Sequence, residues 1–320
     1  MRNIYVEKAE GFLENCVFDG LAHSYCVKTN QWVKPYPEVT GYVINYFLNY
    51  RPQNVPQNII DAGYNLLQLQ HSSGGFSSFF DLNNLYSFDT AQILVGFIDL
   101  YKHTKDDSFK KAAEKAGKFL LRMQLENGAI VPIYNKVLNE KIIDKATYSI
   151  WNGTWSGLMA KLSEAFVALF NLTKDVCYKD AIFRLKSYYE NSEYIECSHP
   201  LGYWLEGLIA ADKFSKVDEI LEKFVLPRIE DNGFIRYSKN DDFSYVSGNI
   251  QLGIILYKRG YLEEAKKIRE YGRLVQSNHL SGGLFQYADR HGKLDSSIHS
   301  EINSWGTKYF CLLEKLLEEY

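Results

Sequence analysis

The sequence predicts an all-α fold: a closed ring of six helical hairpins, with short β-hairpins at its mouth. Two observations predict it. The first is a turn that returns along the chain, in which a helix ends in Gln or Glu and a glycine turn follows. It reads Gln70-His71-Ser72-Ser73-Gly74-Gly75-Phe76, Gln124-Leu125-Glu126-Asn127-Gly128-Ala129, Glu230-Asp231-Asn232-Gly233-Phe234 and Gln276-Ser277-Asn278-His279-Leu280-Ser281-Gly282-Gly283. Self-similarity of this kind marks a repeat architecture. The second is an alternation between two kinds of helix.

One kind is amphipathic. Residues 107–124, 176–190, 216–230 and 261–276, four examples of five such internal segments, and the N-terminal 4–15 carry Lys and Glu on one side and apolar residues on the other. In 107–124, Phe109, Ala112, Ala113, Ala116, Phe119, Leu120 and Met123 share one face at helical spacing. These read as outer helices. The other kind is nearly uncharged and apolar all round: 39–50, 90–101, 157–171, 202–211, 249–257 and 304–317. Such helices are buried on every side and read as an inner ring. Glycines inside them (Gly41, Gly96, Gly207, Gly253, Gly306) cost roughly 1 kcal/mol each against Ala, which suggests close helix–helix approach. The N-terminal helix supplies the missing outer member and closes the ring against the last inner helix. The repeat runs without a linker, so residues 1–320 read as one domain. Residues 129–134 and 234–237 carry weak strand signals and read as hairpins at the mouth.

Composition narrows the function. A net charge of −3 gives no electrostatic footing for nucleic acid. No window approaches the ~20 apolar residues of a membrane span. The N-terminal residues are polar, without the apolar run of a secretory leader. Five scattered cysteines form no CxxC pair, which fits a reduced, cytoplasmic protein. Cys197-Ser198-His199 lacks a second pair to complete a zinc site, and Gly74-Gly75 and Gly282-Gly283 are turns rather than phosphate-binding loops. No metal and no cofactor are expected.

The polar residues at the N-terminal ends of the inner helices converge on one rim. Glu38, Asp89, Glu206 and Glu301 are the candidate catalytic acids, with Tyr203 and His199 as further acid–base groups. Tyr36, Tyr42, Trp151, Asn152, Trp155, Trp204, Asn249, Gln251, Asn303 and Trp305 are the candidate substrate-binding residues. Glu38 and Asp89 taken singly read as well as ordinary acids capping a helix; so does Glu301. Glu206 differs, because it lies inside an apolar helix where an uncompensated charge is costly. Carboxylates among aromatic faces suit a sugar: rings stack on its C–H faces and carboxylates accept its hydroxyls. Two carboxylates in different environments also supply a general acid and a general base.

These hairpins and turns resemble the (α/α)6 toroid group, which includes terpenoid cyclases, prenyltransferase-type proteins, glycoside hydrolases, uronate lyases and sugar epimerases, among them the helical domain of D-glucuronyl C5-epimerases. Pro37-Glu38-Val39-Thr40-Gly41-Tyr42, Phe88-Asp89-Thr90 with Gln92, and Glu301-Ile302-Asn303-Ser304-Trp305-Gly306-Thr307 also resemble toroid proteins of bacterial cell-surface polysaccharide synthesis. The Asp-x-Asp-Asp motif of the squalene-type cyclases is missing: Lys105-Asp106-Asp107 and Asn240-Asp241-Asp242 fall on outer loops. The resemblance implies a carbohydrate-active enzyme, of glycosidase, lyase or epimerase type, working on a surface polysaccharide or its precursor. A non-catalytic glycan-binding toroid and an isoprenoid-handling toroid are the alternatives; the latter requires a greasy funnel.

Overall fold

The computed structural model describes residues 3–78, 80–143, 153, 156–294 and 300–318. Trp151, Asn152 and Trp155 lie outside them. Among the described residues the chain forms α1 (Ile4–Asn15), α2 (Pro37–Tyr50), α3 (Gln57–Leu69), α4 (Ser87–Thr104), α5 (Asp107–Met123), α6 (Leu162–Thr173), α7 (Val176–Tyr189), α8 (Ser198–Ala210), α9 (Phe214–Ile220), α10 (Val246–Lys258), α11 (Leu262–Ser277) and α12 (Ser304–Glu318). A 3-10 turn, Gly157–Lys161, leads into α6.

The even-numbered helices are the apolar ones. In α10, every residue from 246 to 256 is buried. Each even-numbered helix packs on the next, and α12 packs on α2, so their contacts form a closed cycle. The odd-numbered helices are wet on one side: α5 buries Phe109, Ala112, Ala113, Ala116, Phe119, Leu120 and Met123 and leaves its lysines outside. Helix α1 packs against α12.

The recurring turn has a mechanical role. Gln70 Nε2 donates to the carbonyl of Gly74 in its own turn (3.1 Å) and of Ala112 on α5 (2.9 Å). Gln124 does the same to Gly128 (3.3 Å) and Ala181 on α7 (3.0 Å). Gln276 reaches Gly282 (2.7 Å) and Tyr5 on α1 (3.0 Å). Each glutamine thus staples its turn to the following outer helix, and for Gln276 that helix is the first one. The turn glycines have φ of +103° (Gly74), +95° (Gly128), +82° (Gly233) and +81° (Gly282), a region that disfavours side chains. A Cβ on them would lie 2.0–2.3 Å from a carbonyl oxygen of the docked helix. Among the helix glycines, Gly41 shows why the two best-packed helices need one: its Cβ would sit 2.8 Å from Gln92 O and 2.9 Å from Ile93 Cα on α4.

Two expectations are corrected. Residues 216–230 are not one helix: α9 ends at Ile220 and passes into a π turn (Leu221–Val225) and a 3-10 turn (Leu226–Arg228). Pro227 has no N–H to continue the ladder. Residues 234–237 form no strand. The strands are β1 (Val17–Phe18), β2 (Leu21–Cys26), β3 (Gln31–Tyr36), β4 (Phe76–Ser78), β5 (Asp81–Tyr86), β6 (Ile133–Asn135), β7 (Glu140–Ile142), β8 (Phe243–Tyr245), β9 (Leu284–Phe285), β10 (Tyr287–Asp289) and β11 (Glu301–Asn303). They pair antiparallel, β1-β2-β11-β9 with β3 on β2, β4-β5-β6-β7, and β8 with β10.

The sheets set the rim. Strands β3, β5, β8 and β11 each run straight into an even-numbered helix. A threonine in the first helical turn fixes three of these junctions. Thr40, Thr90 and Thr307 each donate to the carbonyl four residues back and accept a strand N–H, from Ala22, Phe76 and Leu284 respectively. The N-terminal ends of α2, α4 and α12 are thereby tied to strands.

Candidate active site

A cavity of about 410 Å³ opens at these helix N-termini. The residue before α2, α4 and α10 is a tyrosine in each case: Tyr36, Tyr86 and Tyr245. All three line the cavity. Two residues beyond the helix cap, Glu38 on α2, Phe88 on α4, His199 on α8 and Trp305 on α12 line it too. Asp89 follows Phe88 and faces the same space. Helices α2, α4, α8 and α12 therefore each present a side chain to the cavity from one register position, and Asp89 adds one from the next.

Burial raises both carboxyl groups, and the charge of one raises the other. Removal from bulk water, then the charge of Asp89, push Glu38 well above the usual carboxylate range, against a smaller pull from the Tyr42 hydroxyl. Burial pushes Asp89 up to about 7. Both keep some accessible surface, and that surface is the cavity wall. Asp89 therefore exchanges its proton near neutral pH, and its charge bears on Glu38.

His199 is buried between aromatic rings. Tyr245 stacks on it (centroids 4.7 Å, 12° between planes), and Tyr203 meets it at 4.5 Å and 48°. Its Nδ1 lies 2.6 Å from Gln251 Oε1. Burial pulls the imidazole down to about 4, so it is neutral at pH 7. Burial and the Glu38 charge raise the Tyr203 phenol well above its ordinary value, so it stays protonated.

Of the residues singled out from the sequence, Tyr36, Glu38, Asp89, His199, Tyr203 and Trp305 line the cavity. The others among the described residues do not. Glu206 is buried beneath it, ion-paired with Lys161 at 2.8 Å. Burial alone would raise this carboxyl; the Lys161 charge overcomes that and holds it below the usual range. Glu301 lies on β11, ion-paired with Lys34 at 2.7 Å. Tyr42 is buried beside the cavity, its hydroxyl being the group that pulls on Glu38. Gln251 sits behind His199. Asn249 donates to Gly233 O at 3.2 Å and anchors a turn. Asn303 caps α12, its Oδ1 accepting from Gly306 N at 2.7 Å. Trp204 points away: its Nε1 donates to Tyr189 O on α7 at 2.9 Å.

The expected tryptophan platform is corrected at Trp204; Trp151 and Trp155 lie outside the described residues. Trp305 is the one described tryptophan on the wall, and tyrosines supply the other polar rings. Phe80, Met159 and Gln286 also line the cavity and have no repeat signal in the sequence. Among the described residues no three His, Cys, Asp or Glu side chains cluster as a metal site would require, and no helix is long and apolar enough to cross a membrane.

No protein-family profile and no curated protein matches the sequence. Solved structures do match the fold. Cellobiose 2-epimerase from Spirochaeta thermophila DSM 6192 is 11% identical at a TM-score of 0.78, over 99% of this chain and 97% of that one. D-mannose isomerase is 12% identical at 0.74, over 99% and 97%. An unsaturated glucuronyl hydrolase specific for heparin is 10% identical at 0.70, over 98% and 96%. At these identities the likeness is one of fold, that of the (α/α)6-toroid carbohydrate enzymes.

Proposed function

We propose that this chain is a carbohydrate-active enzyme, one domain built as a six-hairpin toroid, whose reaction takes place in the cavity between α2, α4, α8 and α12. The observation that carries the reading is the Glu38–Asp89 pair, two carboxyl groups with raised pKa sharing a pocket walled by aromatic rings. Two carboxyl groups of raised pKa supply a proton donor and, once one is ionised, an acceptor. On a glycoside the protonated member gives its proton to the glycosidic oxygen and the C1–O bond breaks. Water bonds to C1 and loses its proton to the ionised member. Tyr36, Tyr86, Tyr245 and Trp305 offer ring faces to the sugar, and the cavity has the size of ordinary small-molecule sites. Two carboxyl groups and an imidazole in the wall do not suit an isoprenoid. The motifs at 37–42, 88–90 and 301–307 favour a cell-surface polysaccharide or its precursor as the substrate.

A second reading is supported by His199. A neutral imidazole held between two tyrosines suits abstraction of a proton from a sugar carbon beside a carbonyl, the first step of epimerisation or isomerisation. One experiment separates the readings. The protein is incubated in D2O with a panel of aryl glycosides, disaccharides, uronosides and reducing sugars, and products are followed by NMR. Hydrolysis releases a new reducing end without C–H exchange; epimerisation exchanges one carbon-bound hydrogen for deuterium. Glu38→Gln is expected to lower kcat for hydrolysis by about 100-fold or more. A Glu38→Gln variant that hydrolyses as fast as the native chain, or binding of glycans without any turnover, overturns the hydrolytic reading.

A further inference from the structure

We infer that the buried Lys161–Glu206 ion pair, acting through the Gln251 amide, holds His199 as the Nδ1–H tautomer and so makes Nε2 its unprotonated nitrogen. This rests on the reading of His199 as an acid–base group of the cavity, and it assigns Lys161, Glu206 and Gln251 as positioning residues.

The chain of hydrogen bonds has one consistent direction. Lys161 Nζ contacts Glu206 Oε2 at 2.8 Å and Glu164 Oε2 at 2.7 Å. Lys161 and Glu206 are both buried, and with that cation beside it Glu206 is ionised. An ionised carboxylate only accepts. The Gln251 side chain must therefore turn its NH2 toward Glu206, and Nε2 indeed lies 2.9 Å from Glu206 Oε2. Its second N–H is directed at the Tyr309 hydroxyl, 3.1 Å away. With both donors used, the end of Gln251 facing His199 is the carbonyl oxygen, an acceptor. A neutral imidazole 2.6 Å from it must place its proton on Nδ1. Ser247 Oγ, 3.5 Å from the same nitrogen, is a weaker contact and adapts to either tautomer.

The fold fixes the geometry as well as the proton. His199 and Glu206 stand on one face of α8, two turns apart, and Gln251 reaches in from α10. Tyr203 and Tyr245 fix the ring plane from two sides. The arrangement explains why a glutamate sits in the apolar helix α8: its charge sets the amide, and the amide sets the imidazole.

The test is a 15N–1H long-range NMR correlation on the full chain with 15N-labelled histidine at pH 7, the His199 signals being assigned by their loss in His199→Gln. The expected spectrum has a pyrrole-type Nδ1 and a pyridine-type Nε2. In Gln251→Leu the bias disappears and both nitrogens take averaged values. On any substrate the protein turns over by way of His199, Gln251→Leu is expected to lower kcat about 10- to 100-fold with KM little changed. A pyridine-type Nδ1 in the native chain overturns the inference without need of any variant. So does a native pattern retained in a Gln251→Leu protein. The spectrum needs no substrate, so a failure to find sugar turnover sinks the functional reading separately.

Discussion

Replacing Asp89 by Asn removes one carboxyl group from the cavity and should make the folded chain more stable above neutral pH. The sign follows from the direction of the shift. In the folded chain Asp89 is raised to about 7 from 3.8, so the folded state keeps a proton that the unfolded chain has released. The associated stability is complete below about pH 4 and is lost as pH climbs through about 7. Lifting the carboxyl over that full span corresponds to at most ~4 kcal/mol. Asp89 still touches cavity water, so ~2 kcal/mol is the figure to expect. The neighbouring Glu38 adds in the same direction, because it loses the negative charge that helps to raise it. Thermal melts of the native chain and Asp89→Asn at low salt provide the assay. The two should nearly coincide at pH 4.5, and the variant should melt higher by roughly 4 °C at pH 8. A variant that melts lower at pH 8, or a difference that does not change with pH, would refute the claim that the two acids share a poorly solvated space.

Two further substitutions test the frame that holds the site. Lys161→Met strands the Glu206 carboxylate without its partner, at a cost of about 3–5 kcal/mol in denaturant melts; the double variant Lys161→Met, Glu206→Met should recover most of it. Gly41→Ala places a methyl 2.8 Å from the backbone oxygen of Gln92, which cannot yield as a side-chain tip would. A loss of about 1–3 kcal/mol is expected, together with a displaced pH–activity profile, because α2 and α4 carry Glu38 and Asp89.

Much of the fold was legible because its signals are local and repeated. The Gln–Gly turn is visible in sequence because Gln70, Gln124 and Gln276 each make the same two bonds, one within the turn and one to the next outer helix. Only the structure shows that Gln276 makes them to α1. The apolar pattern marks the inner helices to within a few residues of their ends, but it begins later than the helices do. Pro37, Ser87 and Ser198 open α2, α4 and α8, and the polar residues after them looked like loop. Most strands leave no signal in the sequence because two or three residues are too few to show a period of two. The irregular end of α9 did have a signal, Pro227, which the surrounding amphipathic pattern outweighed.

The site was legible in direction but not in depth. His199, Tyr203 and Glu206 fall at the start of one inner helix in the sequence, which places all three at the rim; in the structure they share a face at i, i+4 and i+7. A helix rises 1.5 Å per residue, and seven residues carry Glu206 roughly 10 Å deeper, past the cavity floor. Trp204, one residue from Tyr203, is turned about 100° away and meets α7 instead. The sequence also left open whether Glu38 and Asp89 are simply helix caps. Asp106 and Asp175 show what capping looks like here: their side chains accept from Ser108 N and Cys177 N, and those bonds hold both carboxyls below the ordinary value. Helices α2 and α4 begin without a side-chain cap bond, and the acids in their first turns are displaced in the opposite direction. A helix N-terminus favours the charged form of an acid. At Glu38 and Asp89 desolvation outweighs that preference, which is what a proton-donating carboxyl requires and a capping one does not.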